Sequence, residues 1–345
     1  MTLDALKPLL DTDGPFATVY LESGSPTEDA EHQIRLRWDQ LRTQLAEAGA
    51  DETTLEALDA AIMVEDITEV QADGRVLVAD AQKVLMNTAW DATLGAGDAA
   101  HWADHPQLGA YLRERASSVD MLVAITDQEG AVLRRVVASQ EQTLNELERE
   151  VSGSSNAPVQ KPTEGAFSTI QNRSDEAVKR NAKDIAESLD RIARRRRPDV
   201  FVLAGEVQGR SALREGLSPE LQEILVETDR GGAEDDGAEE ALSQELGRIA
   251  AAYAEQSVGD THGRFEQAKA HNQAVEGAEA VARAAQMGAI DTLVLHTEHP
   301  GQDEARLLAA AAQIDSSLGL VSSELQDGIA AILRFEAPDE LTSST

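Results

Sequence analysis

The segment KPTEGAFSTIQN, residues 161–172, ends near a glutamine whose amide invites a chemical reading. A carboxamide both donates and accepts hydrogen bonds at any pH, so Gln171 can orient a water against an ester carbonyl without changing protonation. Glycine beside it would let a substrate approach the backbone closely. The segment's one glycine, Gly165, instead lies six residues earlier. A lone loop glutamine of this kind is equally a solvated side chain. Phe167 and Asn172 complete the candidate loop set.

The stretch C-terminal to this loop is more distinctive. Over residues 173–197, Val178, Ala182, Ile185, Leu189 and Ile192 recur at alternating spacings of four and three, which places them on one helix face. Arg180, Lys183, Arg191 and Arg194 fall roughly opposite, with Arg173 near the same outer stripe at the loop end. Lys161 and Arg195 join these as candidate RNA-contacting residues. Residues 171–198 hold nine basic and five acidic residues, in a chain with 30 basic, 63 acidic and a net charge of −33. One reading is a phosphate-tracking stripe. The other is a solvated polar face whose terminal arginines, Arg194–Arg197, complement the helix dipole.

Other constellations carry less. His101 and His105 are four apart and His296 and His299 three apart, but neither pair has carboxylates in a ligand pattern, so no metal site is expected. Gly205–Gly209 comes after an apolar run without the Gly-Lys-Ser/Thr ending of a phosphate loop, and reads as a turn. No nucleophile–base–acid arrangement is recoverable from spacing, and no cofactor is implied.

Composition narrows the classes. The acidic excess excludes nonspecific attraction of the whole surface to nucleic acid, so any such contact must be local. The absence of cysteine removes disulfides, thiolate metal sites and cysteine nucleophiles. The start, MTLDALKPLLDTDG, lacks the basic-then-apolar order of a signal peptide. No apolar run approaches the ~20 residues of a membrane span. A soluble, cytoplasmic, monomeric protein without membrane contact is expected.

These residues must be positioned by an α/β framework. The FATVYLE run at 16–22 reads as a strand. Helices are expected over about 28–48, where Ile34, Trp38, Leu41 and Leu45 form a stripe, and over 52–64. Arg75–Ala79 and Val84–Met86 read as a strand pair, and 91–105 as loops. Val119–Thr126 and Ala131–Ala138 flank a turn and predict a hairpin. The charged stretch to Val151 and turn-rich 152–158 carry no predicted element. Val200–Ala204 is a buried strand, with a helix and the short strand ILVET after it. The acidic, glycine-rich 229–240 marks a boundary. Beyond it come a helix to about Ala270, helices near 275–287 and 303–315, and strands at 291–296 and 330–335. The expected division is 1–115, 116–230 with loop 161–172 and basic helix 173–197, 231–336 as an α/β/α sandwich, and a tail 337–345.

The hairpin, the polar loop with its glutamine, the long basic helix and the strand VFVLAGE together resemble the central domain of archaeal-eukaryotic class-one release factors and Pelota. VEGAEAVARAAQMGAIDTLVLHTE (275–298) resembles their C-terminal domain. FATVYLES with a tryptophan-bearing helix resembles the bacterial branch, the actinobacterial release-factor-like proteins, which are similar to Balon hibernation factors and Vms-type peptidyl-tRNA hydrolases. The resemblance implies a three-domain, release-factor-like architecture with mixed sheets flanked by helices. It also implies a tRNA mimic in the ribosomal A site, against ribosomal RNA, with a translational GTPase such as elongation factor Tu as a partner. The chain departs from the family where release factors carry Gly-Gly-Gln, having Thr169-Ile170-Gln171 instead, and it lacks the Asn-Ile-Lys-Ser stop-codon motif. The resemblance and its departures leave three readings: ribosome occupancy in hibernation or stress; peptidyl-tRNA hydrolysis with Gln171 positioning water; and a non-ribosomal α/β interaction protein.

Overall fold

The computed structural model describes residues 1–3, 6–10, 14–22, 30–63, 74–90, 97–126, 130–138, 143–152, 167–231 and 236–337, with 10, 30, 89, 130, 143–152, 167–181 and 236 described by backbone alone. The first segment forms α1 (Lys7–Leu10), β1 (Phe16–Leu21), α2 (Ala30–Glu47), α3 (Glu52–Ile62), β2 (Arg75–Ala79), β3 (Val84–Ala89), β4 (Ala99–Ala103) and α4 (Gly109–Ser117). The middle segment forms β5 (Val119–Thr126), β6 (Gly130–Ala138), β7 (Thr143–Ser152), α5 (Phe167–Arg196), β8 (Val200–Gly205), α6 (Val207–Gly216), α7 (Pro219–Glu223) and β9 (Leu225–Glu227). The last forms α8 (Asp236–Ala270), β10 (Ala274–Glu276), α9 (Ala278–Gln286), β11 (Ile290–His296), α10 (Glu304–Gln313), β12 (Ser317–Val321) and β13 (Ile329–Leu333).

Three sheets result, ordered β3-β2-β1-β4, β7-β6-β5-β8-β9 and β10-β13-β11-β12. The chain is a mixed α/β protein with helices flanking each sheet. By compactness it divides into two units, Met1–Ser117 with Glu255–Thr345, and Ser118–Ala254.

The discontinuous unit arises from strands that are apolar on both faces. In β1 and β2, Ala17, Val19, Leu21, Leu77 and Ala79 face the stripe Ile34, Trp38, Leu41 and Leu45 of α2 and Leu55, Leu58 and Ile62 of α3. The alternate residues Phe16, Tyr20, Val76 and Val78 enter a different core, together with Trp90, Leu108 and Leu112. Period-two alternation in a strand sends successive side chains to opposite faces, so a continuous apolar run demands two partners. The second partner is sequence-distant: Val281 and Ala284 of α9, Leu293 and Leu295 of β11, Leu307 and Ala311 of α10, and Ile329 and Ala331 of β13. The opposite face of that third sheet, with Val294, Val321, Ala330 and Ile332, is covered by Phe265 and Ala268 at the end of α8. The sandwich expected for the C-terminal part is therefore present.

Local signals are also visible. Asp51 caps α3, its Oδ1 accepting the Thr54 amide at 2.8 Å. Hydrogen bonds from the Thr53 hydroxyl and the Thr54 amide hold its carboxyl below the usual carboxylate range. Three expectations need correction. Within 91–105, expected to be loops, Ala99–Ala103 is a strand that pairs antiparallel with β1. The charged stretch before Val151 is strand β7, paired antiparallel with β6 at the edge of its sheet. LGLVSS, assigned no element, supplies β12, parallel to β11. In each case the pairing partner, not local propensity, decides the conformation.

Candidate nucleic-acid interface

The hairpin predicted at 119–138 is antiparallel β5–β6, and β8 lies parallel beside β5, Val123 opposite Val202. This sheet is covered on both faces. Met121, Val123, Val136, Val200 and Val202 meet Leu242, Leu246, Ile249 and Ala250 from the first half of α8. Leu122, Ala124, Leu133, Phe201 and Leu203 meet the apolar stripe of α5, where Ala182, Ile185, Ala186 and Leu189 are buried. Of the predicted stripe, Ile192 packs half-buried against the same core, while Val178 lies where only backbone is described. Leu213, Leu217 and Leu221 of the α6–α7 region complete it.

With that face committed, the opposite one is left to solvent. Lys183, Arg191 and Arg194–Arg197 are all exposed. At 1.5 Å per residue the stretch from Lys183 to Arg195 runs roughly 18 Å. Among the described residues none of these cations lies in an ion pair. The remaining arginines of this unit with described side chains are held: Arg134 by Glu239, Arg135 by Asp120, Arg210 and Arg214 by Glu227 at 3.5 and 3.1 Å, Arg230 by Asp229 at 3.9 Å and Arg248 by Glu245 at 2.6 Å. Asp120 also raises the affinity of the Arg135 guanidinium for its proton, chiefly through its hydrogen bond. In a chain with 63 carboxylates, a run of unneutralised cations is the exception.

The helix ends by a local device. Arg197 adopts φ 50°, its amide bonding Ala193 O at 2.7 Å, and Pro198 cannot extend the ladder. The terminal arginines thus also sit where a helix C-terminus favours positive charge.

The start of the helix differs from expectation. Against a loop expected over 161–172, α5 begins at Phe167, so Phe167, Gln171 and Asn172 belong to its first turns, as does Arg173 to its second. From Phe167 to Arg197 the sequence has neither glycine nor proline, so nothing interrupts the helix. Arg180 also lies in α5, within the backbone-only stretch, and Lys161 and Gly165 fall outside the described residues.

Arg196 and Arg197, not among the candidates, are exposed with the others; the tetra-arginine run was their signal. A cleft between the end of α5 and α7 had none, because its second wall comes from residues 218–224.

His296 ends β11 and its ring stacks on His299 at 4.7 Å, with Nδ1 accepting the Glu298 and His299 amides. Among the described residues no group of three or more His, Cys, Asp or Glu is placed to hold a metal. Among them, too, no helix is long and apolar enough to cross a membrane.

Residues 120–271 match the sequence profile of bacterial archaeo-eukaryotic release factor family 2. The uncharacterized protein Rv2629 of Mycobacterium tuberculosis strain H37Rv is 25% identical over 231 residues, covering 66% of this chain and 58% of that protein. The chain thus spans less than two thirds of the length of that curated relative. Among solved structures, Dom34 of S. cerevisiae, a translation termination-like factor of RNA quality control that interacts with Hbs1, aligns at 14% identity. Its TM-score is 0.43, over 86% of this chain and 80% of that one. Archaeal Pelota in its ribosome-bound form with ABCE1 aligns at 14% identity and a TM-score of 0.41, over 98% and 95%.

Proposed function

We propose, for a chain whose segment 120–271 matches bacterial archaeo-eukaryotic release factor family 2, that it is a ribosome-associated translation factor. It occupies the A site as a tRNA mimic in hibernation or stress, and α5 is the element laid against ribosomal RNA. The observation that carries this is the set of exposed cations at Lys183, Arg191 and Arg194–Arg197, none of them ion-paired among the described residues, on an otherwise acidic chain. Locally concentrated charge supplies the salt-dependent attraction to phosphate that the surface as a whole opposes. A translational GTPase of the elongation factor Tu type is the partner this reading implies for delivery. The protein should pellet with 70S ribosomes from starved cells, in competition with A-site tRNA. Absence from the ribosomal pellet in both growth and starvation would sink the reading.

The alternative, peptidyl-tRNA hydrolysis, rests on Gln171, which lies in the same helix that carries the cations. Ile170 beside it provides none of the close backbone approach that glycine would. The expected result is that purified protein releases no nascent peptide from stalled large subunits. Release that Gln171→Ala abolishes would replace occupancy with catalysis.

A further inference from the structure

At the C-terminal end of α5 lies a cleft of about 430 Å³, within the ~300–1,000 Å³ usual for small-ligand sites. Its floor is apolar, made by Ala193, Leu221 and Ile224, and its rim carries Arg194 and Arg197. Two acceptors also line it, Asp190 and Glu220. The Asp190 Oδ1 atom is shielded from solvent yet has no hydrogen-bond partner, and a buried acceptor left so is costly. The Glu220 carboxyl is held below its ordinary range by its own backbone amide and the Ser218 hydroxyl, with Arg194 contributing, so at neutral pH it is an ionised acceptor.

An occupant must satisfy each of these features. A basic peptide side chain would suit the two carboxylates but meets the Arg194 and Arg197 guanidiniums at the rim. An acidic group would suit the arginines and be repelled by Asp190 and Glu220. A purely apolar ligand would cover the Asp190 and Glu220 carboxylates without donating a hydrogen bond to either. A guanine nucleotide meets all three demands. Its N1–H and N2–H₂ are adjacent donors on the Watson–Crick edge, its ring covers an apolar floor, and its phosphates are anionic. Single-stranded RNA bases are commonly recognised in this way, splayed out and stacked on aromatic or guanidinium planes.

Resting on the RNA-binding reading of α5, we propose that this cleft is a pocket for one unstacked guanine of the RNA that α5 contacts. Asp190 and Glu220 accept from the base edge, while Arg194 and Arg197 hold the flanking phosphates.

The test uses the full chain and three fluorescently labelled RNAs: a uridine nonamer, the same with a central guanosine, and the same with a central inosine, which lacks the N2 amino group. By anisotropy, the guanosine RNA should bind roughly tenfold tighter than the uridine one, with inosine between, on the scale of discrimination for a bidentate base contact. Asp190→Asn with Glu220→Gln should erase the difference between the guanosine and uridine RNAs, on top of any uniform gain from the two lost negative charges, and the cleft-filling Ile224→Trp should erase the same difference. Equal binding of all three RNAs by the native protein overturns the guanine pocket and leaves the arginine stripe standing. A guanosine advantage that survives both variants also overturns it. No binding of any RNA overturns the pocket together with the reading it rests on.

Discussion

Replacing Arg191, Arg194, Arg195 and Arg196 together with glutamine should lower affinity for ribosomes by about 10²–10³-fold at physiological salt. Each phosphate contact contributes roughly 0.7–0.9 to the slope of log K against log salt, so four contacts are worth about 3 in that slope. All four side chains are exposed, and none is ion-paired among the described residues, so their removal costs the fold little. Glutamine keeps helix propensity close to that of arginine, and circular dichroism should be unchanged. Co-sedimentation across a salt series provides the slope and the affinity in one experiment. A variant that binds like the native protein, with the same slope, would show that the stripe is merely a solvated face.

The largest stability effect is expected at Arg113→Met, which should cost about 3–5 kcal/mol. Arg113 on α4 makes a bidentate pair with Glu304, at 2.8 Å to Oε1 and 2.5 Å to Oε2, and donates to the carbonyls of His296 at 2.8 Å and His299 at 3.0 Å. Both side chains are nearly buried, 12% and 9% exposed. Glu304 also accepts the Gly301 amide at 2.7 Å. The packing leaves no slack: a Cβ on Gly109 would lie 1.9 Å from Glu304 Oε1. Methionine preserves the apolar stem but strands a buried carboxylate, and that uncompensated charge is the source of the loss. The chain's three tryptophans, Trp38, Trp90 and Trp102, all belong to this unit, so their fluorescence in a urea titration reports its unfolding alone. A loss below about 1 kcal/mol would show the pair to be dispensable.

Much of the framework was legible because local pattern and tertiary role agree. The α2 stripe, β8 and, on α5, Ala182, Ile185 and Leu189 bury residues that the sequence pattern singled out, and the hairpin strands β5 and β6 pair as expected. The elements that were missed depend on distant partners. AAHWA becomes β4 only because β1 offers it an edge. TLNELEREVS pairs at the rim of its sheet, where charged residues are tolerated and blur the strand signal. The arginine stripe was visible as a departure from an acidic background, whereas the ion pair Arg113–Glu304 joins residues 191 apart and leaves no trace in spacing. The cleft at the end of α5 was hidden for the same reason, since its acceptors, Asp190 and Glu220, come from separate helices.

The discontinuous core has a consequence for synthesis. Unit Ser118–Ala254 is closed by contacts among neighbouring segments and holds all it needs once its own residues have left the exit tunnel. The other unit does not. Phe16, Tyr20, Val76 and Val78 lie on one apolar face of the first sheet, with Trp90 beside them, and most of its cover comes from residues 275–333. At 5–20 residues per second that face waits roughly ten seconds or more for its lid while a whole second unit is translated. During that interval the nascent chain presents a sheet with one oily side, which is the kind of surface chaperones bind. The earliest-made strands of this protein are among the last to be sheltered.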